Sequence, residues 1–173
     1  MKINSLKIII FSLVIFLLSI FWLGLKKDSN YSTRNLIGGQ IDNFQLSSIH
    51  NDKFITEEAL KQNKFTLINF FASWCAPCRL EHKYLVELKD QSKNIKILGV
   101  NFKDKKNNAL TFLNELGDPY NFIASDSEGK ASVLFGIYGI PESILINQEL
   151  TIIKKIIGPI NQKQFEEILK LVQ

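Results

Sequence analysis

The chain has 173 residues, a formal charge of +4, a pI near 9.0 and only two cysteines. Its length fits one ordinary domain with a short appendage, and 46% hydrophobic against 22% charged residues exclude a disordered or collagen-like chain. Residues 1–27 hold four lysines (Lys2, Lys7, Lys26, Lys27) and no acid, leaving seventeen basic and seventeen acidic side chains from Asp28 onward, so the excess charge flanks one N-terminal segment and does not describe a nucleic-acid-binding domain.

Ile8 to Leu25 is an unbroken run without a charge. As a helix its eighteen residues reach about 27 Å, close to the hydrocarbon thickness of a bilayer, and Trp22 suits the interface at its far end. A cleaved signal peptide would have a shorter apolar region and a small-x-small site after it. Here the run ends in Phe21-Trp22-Leu23-Gly24-Leu25-Lys26-Lys27, and no cysteine precedes Cys75 to carry a lipid. The expectation is a short cytoplasmic N-terminus over 1–7, a retained transmembrane anchor over 8–25, a polar linker over 26–35 and a globular domain over 36–173. Lysines flank both ends of the anchor, so they do not set its orientation. The very short N-terminal side and the cysteine chemistry below both argue for an exported domain.

From there strands and helices alternate. Phe65–Phe71 is a short apolar run of the kind buried on both faces of a sheet. Ala76–Lys89 reads as a helix with Leu80, Tyr84, Leu85 and Leu88 as its core stripe, leaving His82 and Lys83 at the surface. Ile95–Asn101 is a second strand, and Asn107–Leu116 a helix stopped by Gly117. Asn121–Ser125 is a short strand before the turn at Asp126–Gly129. Ser143–Ile146 and Thr151–Ile157 flank Asn147-Gln148-Glu149 as a hairpin. Asn161–Val172 closes the chain as a helix, with Asn161 as N-cap and Gln164 completing a capping box. The pattern is α/β with a mixed central sheet flanked by helices.

Trp74-Cys75-Ala76-Pro77-Cys78 falls between the first strand and its helix. A spacing of three on a first helical turn brings two sulfurs within bonding reach. The free N–H groups and partial positive charge of the helix N-terminus favour a thiolate at Cys75, and only the thiolate attacks a disulfide. Pro77 is tolerated in that turn because its missing N–H would have no partner there. Cys78, one turn in, would resolve the mixed disulfide. Two other readings compete. A structural cross-link closing so small a loop would stabilise by only about 2 kcal/mol. A metal site would have to draw on Cys75, Cys78, His82 and His50, which lack the paired spacing of structural zinc sites. Redox chemistry is therefore expected, with no metal and no cofactor beyond the Cys75–Cys78 pair. Gly139-Ile140-Pro141-Glu142 stands just before an apolar run. Alone it would mean only a turn or a strand start.

The strand–CxxC–helix unit followed by Ile140-Pro141 resembles the thioredoxin superfamily. Four ordered stretches narrow the resemblance: Cys78-Arg79-Leu80-Glu81-His82-Lys83-Tyr84-Leu85, Gly99-Val100-Asn101-Phe102-Lys103-Asp104, Leu116-Gly117-Asp118-Pro119-Tyr120 and Gly136-Ile137-Tyr138-Gly139-Ile140-Pro141-Glu142-Ser143. Over roughly residues 36–173 the chain resembles the membrane-anchored CcmG/DsbE thiol:disulfide oxidoreductases of cytochrome c maturation. The resemblance implies a thioredoxin-like fold and a periplasmic domain on the bacterial inner membrane. It implies a reductant for the haem-attachment cysteines of apocytochrome c, acting directly or through a maturation partner and recharged by a membrane thiol reductant. It also implies a cis Pro141 lying against the cysteines, with the Ile140 backbone receiving an extended peptide and Trp74 forming part of the substrate surface. Other resemblances remain open: a TlpA- or ResA-like anchored reductase with different targets, or a non-catalytic module that holds apocytochrome or copper.

General thioredoxins carry a buried aspartate six residues before the first cysteine. Asn69 occupies that position here and cannot ionise, so another group must accept the Cys78 proton. Glu81, three residues after Cys78, lies on the same helical face, and the family resemblance points to it too. If partly buried, its pKa should be raised. Glu142, beside Pro141, is a second acid expected to approach the site.

Overall fold

The computed structural model describes residues 5–25, 36–41, 43–51 and 53–173. The chain divides into two compact units, Met1–Ser32 and Thr33–Gln173. In the first, Ser5–Leu25 is one helix of 21 residues, α1. Its two interior serines turn their hydroxyls back onto the helix, Ser12 to the Ile9 carbonyl and Ser19 to the Ile15 carbonyl. That satisfies both polar groups without outside partners. The side chains described in α1 run from 7 to 23, and among the described residues no helix is long and apolar enough to cross a membrane. The linker expected over 26–35 and the first residues of the chain lie outside the described residues.

The second unit is a seven-stranded mixed sheet with helices against it. Its strands are β1 (Gln45–Ser48), β2 (Phe54–Thr56), β3 (Phe65–Phe71), β4 (Ile95–Phe102), β5 (Phe122–Asp126), β6 (Glu142–Asn147) and β7 (Ile152–Ile157), in the spatial order β2-β1-β5-β4-β3-β6-β7. β3, β4 and β5 run parallel, while β6, β7, β1 and β2 add antiparallel neighbours. The helices are α2 (Glu57–Leu60), α3 (Ala76–Gln91), α4 (Lys106–Leu116), α5 (Lys130–Leu134) and α6 (Gln162–Val172). The strands and helices expected after Phe65 all form, to within about two residues of their expected ends. The hairpin β1–β2 and the short helices α2 and α5 were not expected.

β3 is central, so both its faces are covered. Leu67 and Phe71 enter the core beneath α3 and α6, together with Leu85, Leu88, Phe165 and Ile168. Ile68 and Phe70 enter a second core on the opposite face with Ile144, Ile146 and Phe135. This alternation, with successive side chains on opposite faces, decides which side of the sheet each site residue faces. At the C-terminal end Asn161 accepts from Gln164 N and the Gln164 side chain accepts from Asn161 N, the reciprocal cap expected of that pair.

Leu80 is a correction: it is 71% exposed, not core. The buried stripe of α3 is Cys78, Glu81, His82, Leu85 and Leu88. These positions follow the three-and-four helical repeat on the sheet-facing side, and two of them are polar. His82 is the matching correction. It is buried, its Nε2 lies 2.8 Å from the Gly117 carbonyl and its ring meets Phe112 edge-on. Lys83 is exposed, as expected.

Candidate active site

β3 ends at Phe71, and α3 begins five residues later with Cys75 as its N-cap. Cys75 has an extended backbone and its Sγ accepts a hydrogen bond from Cys78 N at 3.2 Å, the place an oxygen takes in an ordinary cap. The two cysteines form a disulfide with Cα atoms 5.3 Å apart. Cys78 is the more buried, at 1% against 4% exposure for Cys75. On reduction, Cys75 Sγ lies at the N-terminal end of a 16-residue helix, where the free N–H groups and the dipole stabilise a thiolate.

The loop after β4 holds the approach to this pair. Asp104 accepts from Ser73 N at 2.8 Å, from Asn101 Nδ2 at 3.2 Å and from Lys105 N at 2.8 Å. Partial burial pushes its carboxyl up, but these donors outweigh that and hold it below the usual range. Lys103, the residue before it, has a left-handed backbone (φ 44°), and its carbonyl accepts from Trp74 Nε1 at 3.3 Å. The Asn101–Asp104 stretch thus fixes Ser73-Trp74 from outside the helix, while the Trp74 ring stays 59% exposed beside the disulfide. The Ile140–Pro141 peptide is cis, with Pro141 buried and Ile140 packed against both cores.

Glu81 is 1% exposed beneath α3. Its Oε1 accepts from Asn69 Nδ2 at 2.8 Å and its Oε2 from Ile160 N at 2.7 Å. Burial pushes the carboxyl up to about 7, against the opposing pull of these two hydrogen bonds. Asn69, at the centre of β3, also donates to Ser143 Oγ at 3.0 Å and accepts from the Tyr120 hydroxyl at 2.8 Å. Tyr120 is stacked on Phe71 and lies over Gly99, where a Cβ would come within 2.8 Å of the ring. Two stretches of sequence far apart, Gly99 and Leu116–Tyr120, therefore converge on the amide that bonds Glu81.

Glu142 is buried as well. β6 pairs Ser143 with Asn69 and Glu142 with Phe70. Ser143 thus faces the Glu81 side, and Glu142 faces the other. Its Oε1 accepts from Tyr138 N (3.2 Å) and Gly139 N (3.1 Å), and its Oε2 forms an ion pair with Lys155 Nζ at 3.1 Å. Lys155 Nζ in turn donates to the Gly136 carbonyl. The carboxylate is committed to the loop before Pro141 and to Lys155.

The sequence names Tyr120 and Ser143 only as members of the family-like stretches and does not assign their contacts, nor that of the Ile160 N–H, because their partners are distant in sequence and no spacing announces them. Among the described residues, no three His, Cys, Asp or Glu side chains are grouped to hold a metal, and His50 is exposed in the β1–β2 connection.

A sequence profile of the Redoxin family matches residues 37–171. The chain is 50% identical over 105 residues to the thiol:disulfide interchange protein CycY of Rhizobium leguminosarum, a match covering 61% of this chain and 55%, about half, of that relative. It is 36% identical over 164 residues to the thiol:disulfide interchange protein DsbE of Pseudomonas aeruginosa, covering 94% of this chain and 90% of that one. In structure it is similar to a putative thiol:disulfide interchange protein DsbE from Chlorobium tepidum, with a TM-score of 0.67 at 23% identity, covering 78% of this chain and 93% of the other.

Proposed function

The chain belongs to the Redoxin family, among the DsbE/CcmG thiol:disulfide oxidoreductases, and on that premise we propose that it is a membrane-anchored periplasmic reductant of apocytochrome c. Its target is the disulfide between haem-attachment cysteines, met directly or through a maturation partner. The Cys75 thiolate attacks one substrate sulfur, forming a mixed disulfide and releasing the other substrate sulfur as a thiolate. Cys78 then gives its proton to Glu81 and attacks Cys75 Sγ. The Cys75–Cys78 bond forms, the mixed disulfide breaks and the second substrate thiolate leaves. Two electrons pass to the substrate, and a membrane thiol reductant must restore the dithiol.

The carrying observation is the juxtaposition in α3: a disulfide at the helix N-terminus and, one turn inward, a buried carboxyl that has no cation beside it among the described residues and a pKa near 7. Such a group can take a proton near neutral pH and give it back. Trp74 and the Ile140–Pro141 backbone form the substrate surface in this reading, and Glu142 acts on it through the loop it holds. The anchor rests on the apolar run Ile8–Leu25, and the target and compartment on the family resemblance. Cys75→Ser should abolish insulin disulfide reduction, while Cys78→Ser should accumulate a mixed disulfide with an apocytochrome peptide bearing the haem-attachment cysteines. Failure of Cys78→Ser to trap that peptide, while it traps unrelated disulfides equally well, would remove apocytochrome as the target.

A further inference from the structure

Asn69 can present either side of its amide to Glu81, and the two sides have opposite consequences. With Nδ2 toward Oε1, as found, the amide stabilises the carboxylate. Rotated half a turn, Oδ1 would face Oε1, two acceptors in contact unless Glu81 keeps a proton to donate. Ser143 does not decide between these states, since a hydroxyl either accepts from Nδ2 or donates to Oδ1. The group on the far side of the amide is Tyr120, whose hydroxyl donates to Oδ1 at 2.8 Å; a phenol is a stronger donor and a weaker acceptor than the serine hydroxyl, so it favours the amide oxygen over the amide NH2 as its partner. That hydroxyl is well placed to do so. The ring is stacked on Phe71 and seated over Gly99, Tyr120 N donates to Asp118 Oδ1, and His82 holds the adjoining Gly117 carbonyl.

We propose that Tyr120 is a positioning residue for the proton-transfer step: its hydroxyl locks Asn69 with the NH2 group toward Glu81 and so keeps that carboxyl able to release its proton. The inference rests on Glu81 being the proton acceptor and adds the group that tunes it. The groups facing Glu81 are few. Asn69 comes from β3 and Ser143 from β6, with Tyr120 reached through the amide. The Ile160 N–H comes from the segment before α6, and Cys78 and His82 from α3 itself. Burial holds the His82 imidazole below its usual range and keeps it neutral near pH 7, and its ring is turned to Gly117. Among the described residues no ion pair reaches Glu81, so the orientation of one amide carries unusual weight.

Tyr120→Phe keeps the ring and removes only the hydroxyl. In the dithiothreitol-reduced full chain, the Glu81 carboxyl midpoint can be followed by its infrared band, assigned by loss in Glu81→Gln. The exchange rate is followed over the same pH range. Tyr120→Phe should raise the midpoint by about one pH unit, roughly a tenfold change in proton affinity, and move the rate profile to the alkaline side with its plateau kept. Combined with Glu81→Gln it should add no further shift. Incorporating 3-fluorotyrosine at position 120, a stronger donor of nearly the same size, should move the midpoint the other way. An unchanged carboxyl midpoint in Tyr120→Phe or with the fluorinated ring would overturn the role of Tyr120 while leaving Glu81 as acceptor. A rate profile unchanged in Glu81→Gln would instead overturn the acceptor reading, and the inference with it.

Discussion

Glu81 and Glu142 are buried to nearly the same degree, at 1% and 3% exposure, and lie on opposite faces of one sheet. Glu142 has a cation, Lys155, and two backbone N–H donors, all within the loop and strand that frame Pro141. Glu81 has one amide and one N–H and, among the described residues, no cation, and burial holds its carboxyl near 7. In the proposed mechanism, the difference separates a charge that shapes the site from one that takes part in its chemistry. A paired buried carboxylate fixes geometry. An unpaired one stores a proton.

The comparison can be broken most sharply at the paired acid. Lys155→Met should leave Glu142 as an uncompensated buried charge and cost about 3–5 kcal/mol of stability in urea unfolding at pH 7, with most of it recovered when Glu142→Gln is added. A cost below about 1 kcal/mol would mean that the pair does not brace the loop. For Glu81 the expected effect is a pH slope. Below its ordinary value of 4.5 the group is protonated in both folded and unfolded chains. As pH rises toward 7 the unfolded chain releases the proton and the folded chain retains it, so stability falls. Above 7 both are ionised and the loss is constant, about 3 kcal/mol. Urea unfolding of the oxidised protein between pH 4 and 8 should show that decline, and Glu81→Gln should lack it. The smallest effect belongs to Leu80. At 71% exposure, Leu80→Ser should change stability by no more than about 0.5 kcal/mol. Leu85→Ala, one turn along and fully buried, should cost about 2–5 kcal/mol in the same assay.

That last contrast marks where sequence patterns stop being informative. The apolar run Phe65–Phe71, the cap Asn161/Gln164 and the Cys75–Cys78 turn were legible because each is decided within a few neighbouring residues. Leu80 was misread because hydrophobicity alone assigns a leucine inward and a histidine outward. Glu81 and His82 are inside because the Ile160 N–H, Asn69 and the Gly117 carbonyl satisfy them, partners 12 to 79 residues away. For Glu142 the sequence shows its neighbour Pro141 but not the sheet face on which its carboxyl lies. The two-residue alternation of β6 sends it to the opposite face, and the register that fixes this is a tertiary fact. The hairpin β1–β2 escaped because its strands are only four and three residues long and depend on pairing with β5 for their place.

The central claim, that the Cys75–Cys78 pair serves as a reductant outside the cytoplasm, is tested most directly by its redox state in cells. Trapping thiols by acid quench and alkylation, with and without the membrane electron donor, reads both direction and compartment. The pair should be found mostly reduced and should become oxidised when the donor is deleted. A pair that stays oxidised in both strains, or reduced in both, would contradict the account.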